Sequence, residues 1–370
     1  MLDTPDTPPP EELYSFLDDY SEGAHPQLLQ ALVSSNLSQQ VGYGNDAFSS
    51  EARESIRRLV GAPQAGVYFV PTGTSANVIS IAACLRPHEA VIAASSGHIV
   101  TRETGAVEAS GHKIINCEPT NGKLTPATIK KALEDNWHFP HMAVPRLVYI
   151  SNATEIGTLY TKAELQAIKT LCVESSLILF VDGARIGAAL ASDLNDVTLP
   201  ELLELTDIFW IGGTKNGALL GEAVVVKDPT LARDFEFYVK QRGSLLAKSR
   251  VIGTQFAELF RTPSSDKLNL TIEEQFRRTL YFDLAKRANT AAQRLSEALK
   301  EAGHELHAKT ETNQVFAVVP VARIERLKER FRFYVWENLG EGRAVVRLLT
   351  TWATDVDQLE QFARMLQAPL

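Results

Sequence analysis

Short β-rich runs alternate with helical patterns along the first two thirds of the chain, and that order leaves few folds open. VYFVP from Val67 leads into TGTSANVISIAACL from Thr72, AVIAAS from Ala90 into HIVTRETGAVEAS from His98, and RLVYIS from Arg146 into TKAELQAIKTLCVESS from Thr161. LILFVDG from Leu177, DIFWIGG from Asp207 and EAVVVK from Glu222 follow. Such an order predicts an α/β fold, a mostly parallel sheet covered by helices on both faces. Ligands bind these sheets beyond the carboxyl ends of the strands.

After about Phe256 the pattern changes. A loop, RTPSSDKLNL, precedes a long helix through RTLYFDLAKRANTAAQRLSEALKEAG, and then come short strands in NQVFAVVP, RFYVW and AVVRLLTTWAT. A chain of 370 residues exceeds a single hydrophobic core. The expected division is an N-terminal segment 1–26, a large domain 27–256 and a small α+β domain 257–370. The start, MLDTPDTPPPEE, reads as a disordered lead-in, without the basic start and apolar core of a secretory signal.

Composition narrows the function classes. The net charge of -8 comes with no basic stripe, which argues against a nucleic-acid binder. No apolar run reaches membrane-spanning length. Cys84, Cys117 and Cys172 are odd in number and lack metal-ligand spacing, so they read as reduced core residues of a cytoplasmic protein that holds no metal.

The chemistry-bearing residues fall at strand ends. LILFVDGAR closes on Asp182 and Arg185, and DIFWIGGTKNGALLG carries Lys215 in a turn of small residues. If the two strands are adjacent, all three groups share one rim. FVPTGTSANV puts Pro71, Thr72, Gly73, Thr74 and Ser75 where a strand gives way to a helix, so free backbone N–H groups can hold a phosphate. Taken singly, these are ordinary features: a cap, a solvated charge, a helix start. Taken together they are what pyridoxal 5'-phosphate needs, a lysine for its aldehyde and an aspartate for its pyridine nitrogen.

The segments DYSEGAHP, GYGND, FVPTGTSAN, GHIVTRETGA, GKLT, SNATEIGTLYT, FVDGAR, GGTKNGALLGEA, KQRGSLLAK and VVRLLTTWAT run in order from about Asp19 to Asp355. In these the chain resembles the fold-type I pyridoxal-phosphate enzymes, and within them the threonine aldolase and β-eliminating lyase family, on its low-specificity L-threonine aldolase branch. The resemblance implies an aspartate-aminotransferase-like large domain with a seven-stranded, mostly parallel sheet. It also implies a homodimer or homotetramer whose sites are shared between subunits. The implied activity is a carbon–carbon lyase that cleaves L-threonine, allo-threonine or a related β-hydroxy-α-amino acid to glycine and an aldehyde.

Site roles follow from the same resemblance. Lys215 corresponds to the lysine that bonds to the cofactor, Asp182 to the partner of the pyridine nitrogen, and Gly73 and Thr74 to the phosphate-cradling pair. His98 resembles the histidine that stacks on the ring and acts as a base, with Glu103 ordering its loop. Arg185, near the cofactor oxygen, and Arg347 form the clamp for the substrate carboxylate. Lys248 aligns with a basic residue given across a subunit interface to the phosphate, with Lys240, Arg242 and Arg250 as competitors. His141 aligns with the histidine that contacts the substrate hydroxyl, and His138 is its rival.

Two departures bear on the substrate. Asp18-Asp19 stands where better-known aldolases carry Ser-Asp, so Asp18 either points away from the substrate carboxylate or alters the substrate range. Asn152-Ala153-Thr154-Glu155 replaces a Thr-His-Asn run. The alternatives left open are β-elimination, transamination, and a non-catalytic protein that binds the cofactor. Outside this chemistry stands a nucleotide-binding domain, which the missing GxGxxG fingerprint disfavours.

Overall fold

The computed structural model describes residues 13–231, 233–262 and 270–369. The lead-in MLDTPDTPPPEE and residues 263–269 of the expected RTPSSDKLNL loop lie outside the described residues. After a two-residue strand β1 (Tyr14–Ser15), seven strands build the main sheet: β2 (Gly66–Val70), β3 (Glu89–Ala94), β4 (Lys113–Cys117), β5 (Val144–Ser151), β6 (Ile178–Asp182), β7 (Ile208–Gly212) and β8 (Glu222–Val226). Their spatial order is β2-β8-β7-β6-β5-β3-β4. β3, β4, β5, β6 and β7 pair in parallel, and β8 runs antiparallel to both of its neighbours.

Alternate residues of each strand feed opposite faces, which is why the strands read as unbroken apolar runs. Along β5 and β6, Val148, Ile150, Leu179 and Val181 pack into one core, whereas Leu147, Tyr149, Ile178 and Phe180 pack into the other. Helices Ala47–Leu59, Lys162–Glu174 and Arg250–Leu259 cover the first face, and Gly73–Cys84 lies on the second.

A third core belongs to the C-terminal region. There β9 (Glu305–Leu306), β10 (Gln314–Pro320), β11 (Phe331–Arg332), β12 (Tyr334–Gly340) and β13 (Arg343–Leu349) follow the long helix Leu280–Glu301. The four-stranded sheet has the order β12-β13-β10-β9, antiparallel throughout, and β1 pairs with β11. The long helix joins the two regions: Tyr281 and Leu284 sit in the large core, Ala292, Leu295 and Leu299 in the small one. Phe256, Ala257 and Leu259, on either side of the expected division, all pack into the large core.

One expected helix is broken. HIVTRETGAVEAS forms two single turns, His98–Thr101 and Ala106–Ala109. Between them Thr104 and Gly105 take φ values of 53° and 72°, a left-handed excursion that ends a right-handed helix. The break accompanies an inward turn of Glu103, which is buried.

Candidate active site

The topology brings the chemistry to one rim. Thr72, Gly73 and Thr74 follow β2, His98 follows β3, Glu155 follows β5, Asp182 ends β6 with Arg185 just beyond it, Lys215 follows β7, and Glu222 opens antiparallel β8. These residues line a cavity of about 360 Å³ with Tyr20, Asn77 and Trp210. Its size suits a small cofactor. A second cavity of about 530 Å³ shares Tyr20, His98, Glu155, Arg185 and Lys215 with it and adds Asp18, Tyr334, Trp336 and Arg347.

Asp182 is held from three sides. One oxygen accepts from the Ala184 N–H at 2.9 Å, and the other accepts from Asn77 Nδ2 at 2.9 Å and from the Tyr149 hydroxyl. Burial, with Asp182 beside it, pushes the Tyr149 hydroxyl well above its ordinary range, so Tyr149 stays a proton donor to that carboxylate. Asn77 spends its second N–H on Glu103 Oε1 at 2.7 Å and accepts from Trp210 Nε1 at 3.0 Å. Glu103 Oε1 in turn meets His98 Nδ1 at 2.8 Å. One amide thus locks two buried carboxylates, and through them the orientation of the His98 ring.

The helix Gly73–Cys84 starts at the same cavity. Thr72 caps it, accepting from the Ser75 N–H at 3.1 Å. A Cβ on Gly73 would stand 2.9 Å from the Trp210 ring, so only glycine lets the chain start a helix against that indole.

On the other side Arg185 is tied to Asp19, with Nε donating at 2.6 Å and Nη2 at 3.0 Å. Burial would raise the Asp19 carboxyl, but Arg185, Lys215 and the donated bonds outweigh it and hold it at about 2. Arg347 donates to Gln314 Oε1 at 2.7 Å, while its buried Nε has no partner among the described residues. Burial, with Arg185 nearby, lowers Arg347 to about 10. Burial also lowers Lys215, helped by Arg185 and opposed by Asp19, Asp182 and Glu222.

Of the residues named from the sequence, Gly73, Thr74, His98, Asp182, Arg185 and Lys215 line the inner cavity, and Arg347 the outer one. His141 and Lys248 line neither cavity and are exposed. His141 precedes β5 whereas the site lies beyond its far end, a separation of roughly 25 Å for eight residues at ~3.3 Å each. His138 packs edge-on against His141 and shares that position. Asp18 is tied to its own turn, accepting from the Tyr20 N–H at 3.1 Å and the Ser21 hydroxyl at 2.8 Å.

Several residues of this rim escape a reading of the sequence. Asp19, Asn77 and Glu222 all stand inside segments that carry the family resemblance, yet nothing local reveals their partners. Tyr149 looks like one more core aromatic of a buried strand. Glu155 accepts from the His98 N–H at 3.1 Å and the Ser151 hydroxyl at 2.7 Å, and burial raises its carboxyl.

Comparison with known proteins finds relatives along most of the chain. The family described as Beta-eliminating lyase matches residues 18–322. The chain is 32% identical over 355 residues to the low specificity L-threonine aldolase of Pseudomonas aeruginosa, covering 94% of this chain and 96% of that one. The solved structure of Leishmania major threonine aldolase superposes with a TM-score of 0.89 at 40% identity, covering 96% of this chain and 98% of that one. A Thermus thermophilus aspartate aminotransferase, 16% identical, superposes with a TM-score of 0.66, covering 96% and 91%, a likeness of fold alone.

Proposed function

The chain belongs to the Beta-eliminating lyase family, and on that premise we propose that it is a pyridoxal-phosphate-dependent aldolase. Its reaction is the cleavage of threonine, allo-threonine or a related β-hydroxy-α-amino acid to glycine and an aldehyde. The names of its relatives support this reading. The observation that carries it is the single cavity lined by Lys215, Asp182, Arg185 and the start of the helix Gly73–Cys84.

The residues present fit the cofactor. Thr72, Gly73 and Thr74 offer backbone N–H groups and hydroxyls to a phosphate at the positive end of a twelve-residue helix. Asp182, fixed by Ala184, Asn77 and Tyr149, is the anion that would keep a pyridine nitrogen protonated. Lys215, destabilised as an ammonium by burial, is the amine for the aldehyde. When bound, the cofactor supplies an electron-accepting ring for the carbon whose bond breaks.

The remaining groups orient the amino acid. Arg185 is neutralised by Asp19, so Arg347, with an unspent Nε, supplies the net positive charge for the substrate carboxylate. A carboxylate fixed there determines which bond at Cα is broken. His98 has Nδ1 engaged by Glu103, which leaves Nε2 to take the proton of the β-hydroxyl. Lys248 and His141, both exposed, would reach a site only in a neighbouring subunit of a homodimer or homotetramer.

We read the chain as a large domain and a smaller C-terminal one that contributes Arg347, acting in the cytoplasm. Among the described residues no helix is long and apolar enough to cross a membrane. The decisive experiment is incubation with L-threonine, L-allo-threonine and bulkier β-hydroxy amino acids, with mass detection of products. Glycine plus an aldehyde is expected. A keto acid with ammonia would move the reaction to β-elimination, and conversion of the cofactor to its amine form to transamination.

A further inference from the structure

Glu222 is an acid with no role in the chemistry above, and it is buried at the rim where Lys215 stands. In the sheet it is level with Val70 on one side and Gly212 on the other, so it sits between the strand that leads to the Thr72 turn and the strand that leads to the lysine. Its carboxylate reaches back over the lysine turn. One oxygen accepts from the Gly213 N–H at 2.8 Å and the other from the Thr214 hydroxyl at 2.8 Å. Thr214 Oγ1 also accepts from the Gly221 N–H at 3.2 Å. The two residues immediately before Lys215 are therefore clamped by one side chain from the next strand.

The turn has no slack to do without that clamp. A Cβ on Gly213 would meet the Gly221 carbonyl at 2.6 Å and the Phe256 ring at 2.9 Å, so the backbone is already at closest approach. A purely structural brace, however, could be built from a neutral amide or hydroxyl. Burying a carboxyl is costly even when Gly213 and Thr214 donate to it, and an ionised one acts on the cations around it. The cation that acts on Glu222 is Lys215.

We propose that Glu222 is a positioning residue for Lys215, holding the turn that aims the lysine and adding one of the negative charges that stabilise its ammonium. This deepens the reading of Lys215 as the cofactor-bonding residue and rests on it. The other charges facing Lys215 are Arg185 and Asp182 at the end of β6 and Asp19 from the N-terminal segment. Asp19, already paired with Arg185, and Asp182 act on Lys215 alongside Glu222, and it is Glu222 that also holds the two residues before the lysine. Burial holds the Glu222 carboxyl up at about 7, against the bonds from Thr214 and Gly213 and the charge of Lys215. Near neutral pH it therefore passes between a state that supports the ammonium and one that does not.

The sign follows. An ionised Glu222 raises the pH at which Lys215 loses its proton, and removal of the charge lowers it. The test uses the full chain freed of cofactor, with competitive acetylation of its lysines across a pH series and mass-spectrometric readout of Lys215. Glu222→Gln, which keeps shape and removes charge, should lower the Lys215 midpoint by about one unit, the low end for a neighbouring opposite charge. Glu222→Asp, which keeps the charge and shortens the reach, should hold the midpoint near the wild-type value while slowing capture of pyridoxal phosphate. An unmoved midpoint in Glu222→Gln, or a shift in Glu222→Asp as large as in Glu222→Gln, overturns the proposal. Should wild-type chain instead attach the cofactor at another lysine, the underlying reading of Lys215 fails, an outcome distinct from either of these.

Discussion

Asp19 and Arg185 show how much of this site is electrostatic bookkeeping between residues far apart in the chain. An Asp normally near 3.8 and held at about 2 in the fold contributes stability that is full above pH 4 and is lost as pH falls toward 2. That contribution is roughly 2 kcal/mol. Asp19→Asn should therefore flatten the acid limb of a plot of urea-unfolding free energy against pH. At neutral pH it should cost more than the shift alone, about 3–5 kcal/mol, because Arg185 is left buried without its partner. Arg347→Ala is a different kind of lesion. It removes the cation with an unspent donor from the outer cavity and leaves the inner one intact. The expected result is a KM raised tenfold or more, about 1.4 kcal/mol of lost carboxylate binding, with cofactor affinity little changed. Parallel loss of cofactor in an equilibrium-binding assay would make Arg347 structural.

At the scale of elements, the end of β6 and the turn after β7 are packed to the limit. A Cβ on Gly183 would fall 1.7 Å from the Trp210 carbonyl, a distance no rotamer change can relieve, because the obstacle is backbone. Gly183→Ala should cost several kcal/mol, on the scale of about 3 kcal/mol or more for overpacking. It should be visible as a large fall in thermal midpoint, or as insoluble protein. What was legible at this scale was the sheet and its rim: apolar runs bounded by turns mark buried strands, and parallel strands put their following loops on one side. Lys215, Asp182, Arg185 and the turn at Thr72 could be found that way because each lies within a few residues of a strand end. The broken helix after His98 could not, since its pattern is helical and the force that breaks it, Glu103 reaching Asn77 and His98, belongs to the assembled fold. The same is true of Asp19, whose partner is 166 residues away. It is true again of Tyr149, whose hydroxyl finds Asp182 only once β5 and β6 lie side by side.

The whole molecule presents a surface that a lone chain would not need. Leu29, Val33, Leu37 and Val41 recur every four residues along the helix Pro26–Ser35 and the segment after it, and all are exposed, Leu37 at 93%. Tyr43 and Phe237, also exposed, line one hollow beside the helix Phe235–Gln241. Large apolar side chains left exposed in this way are what an interface between copies would cover, and Lys248 lies in the segment that follows that helix. Two-fold pairing is the commonest closed assembly and makes two equivalent sites. The prediction is that Lys215 of one subunit and Lys248 of its neighbour serve the same cofactor. Lys215→Ala and Lys248→Ala chains should each be inactive alone. Mixed under conditions of demonstrated subunit exchange, they should form heterodimers with one doubly damaged site and one site in which both lysines are native. Recovery of up to half the wild-type activity per heterodimer is then expected. If exchange is shown by mass and no activity returns, Lys248 serves its own chain or no site at all.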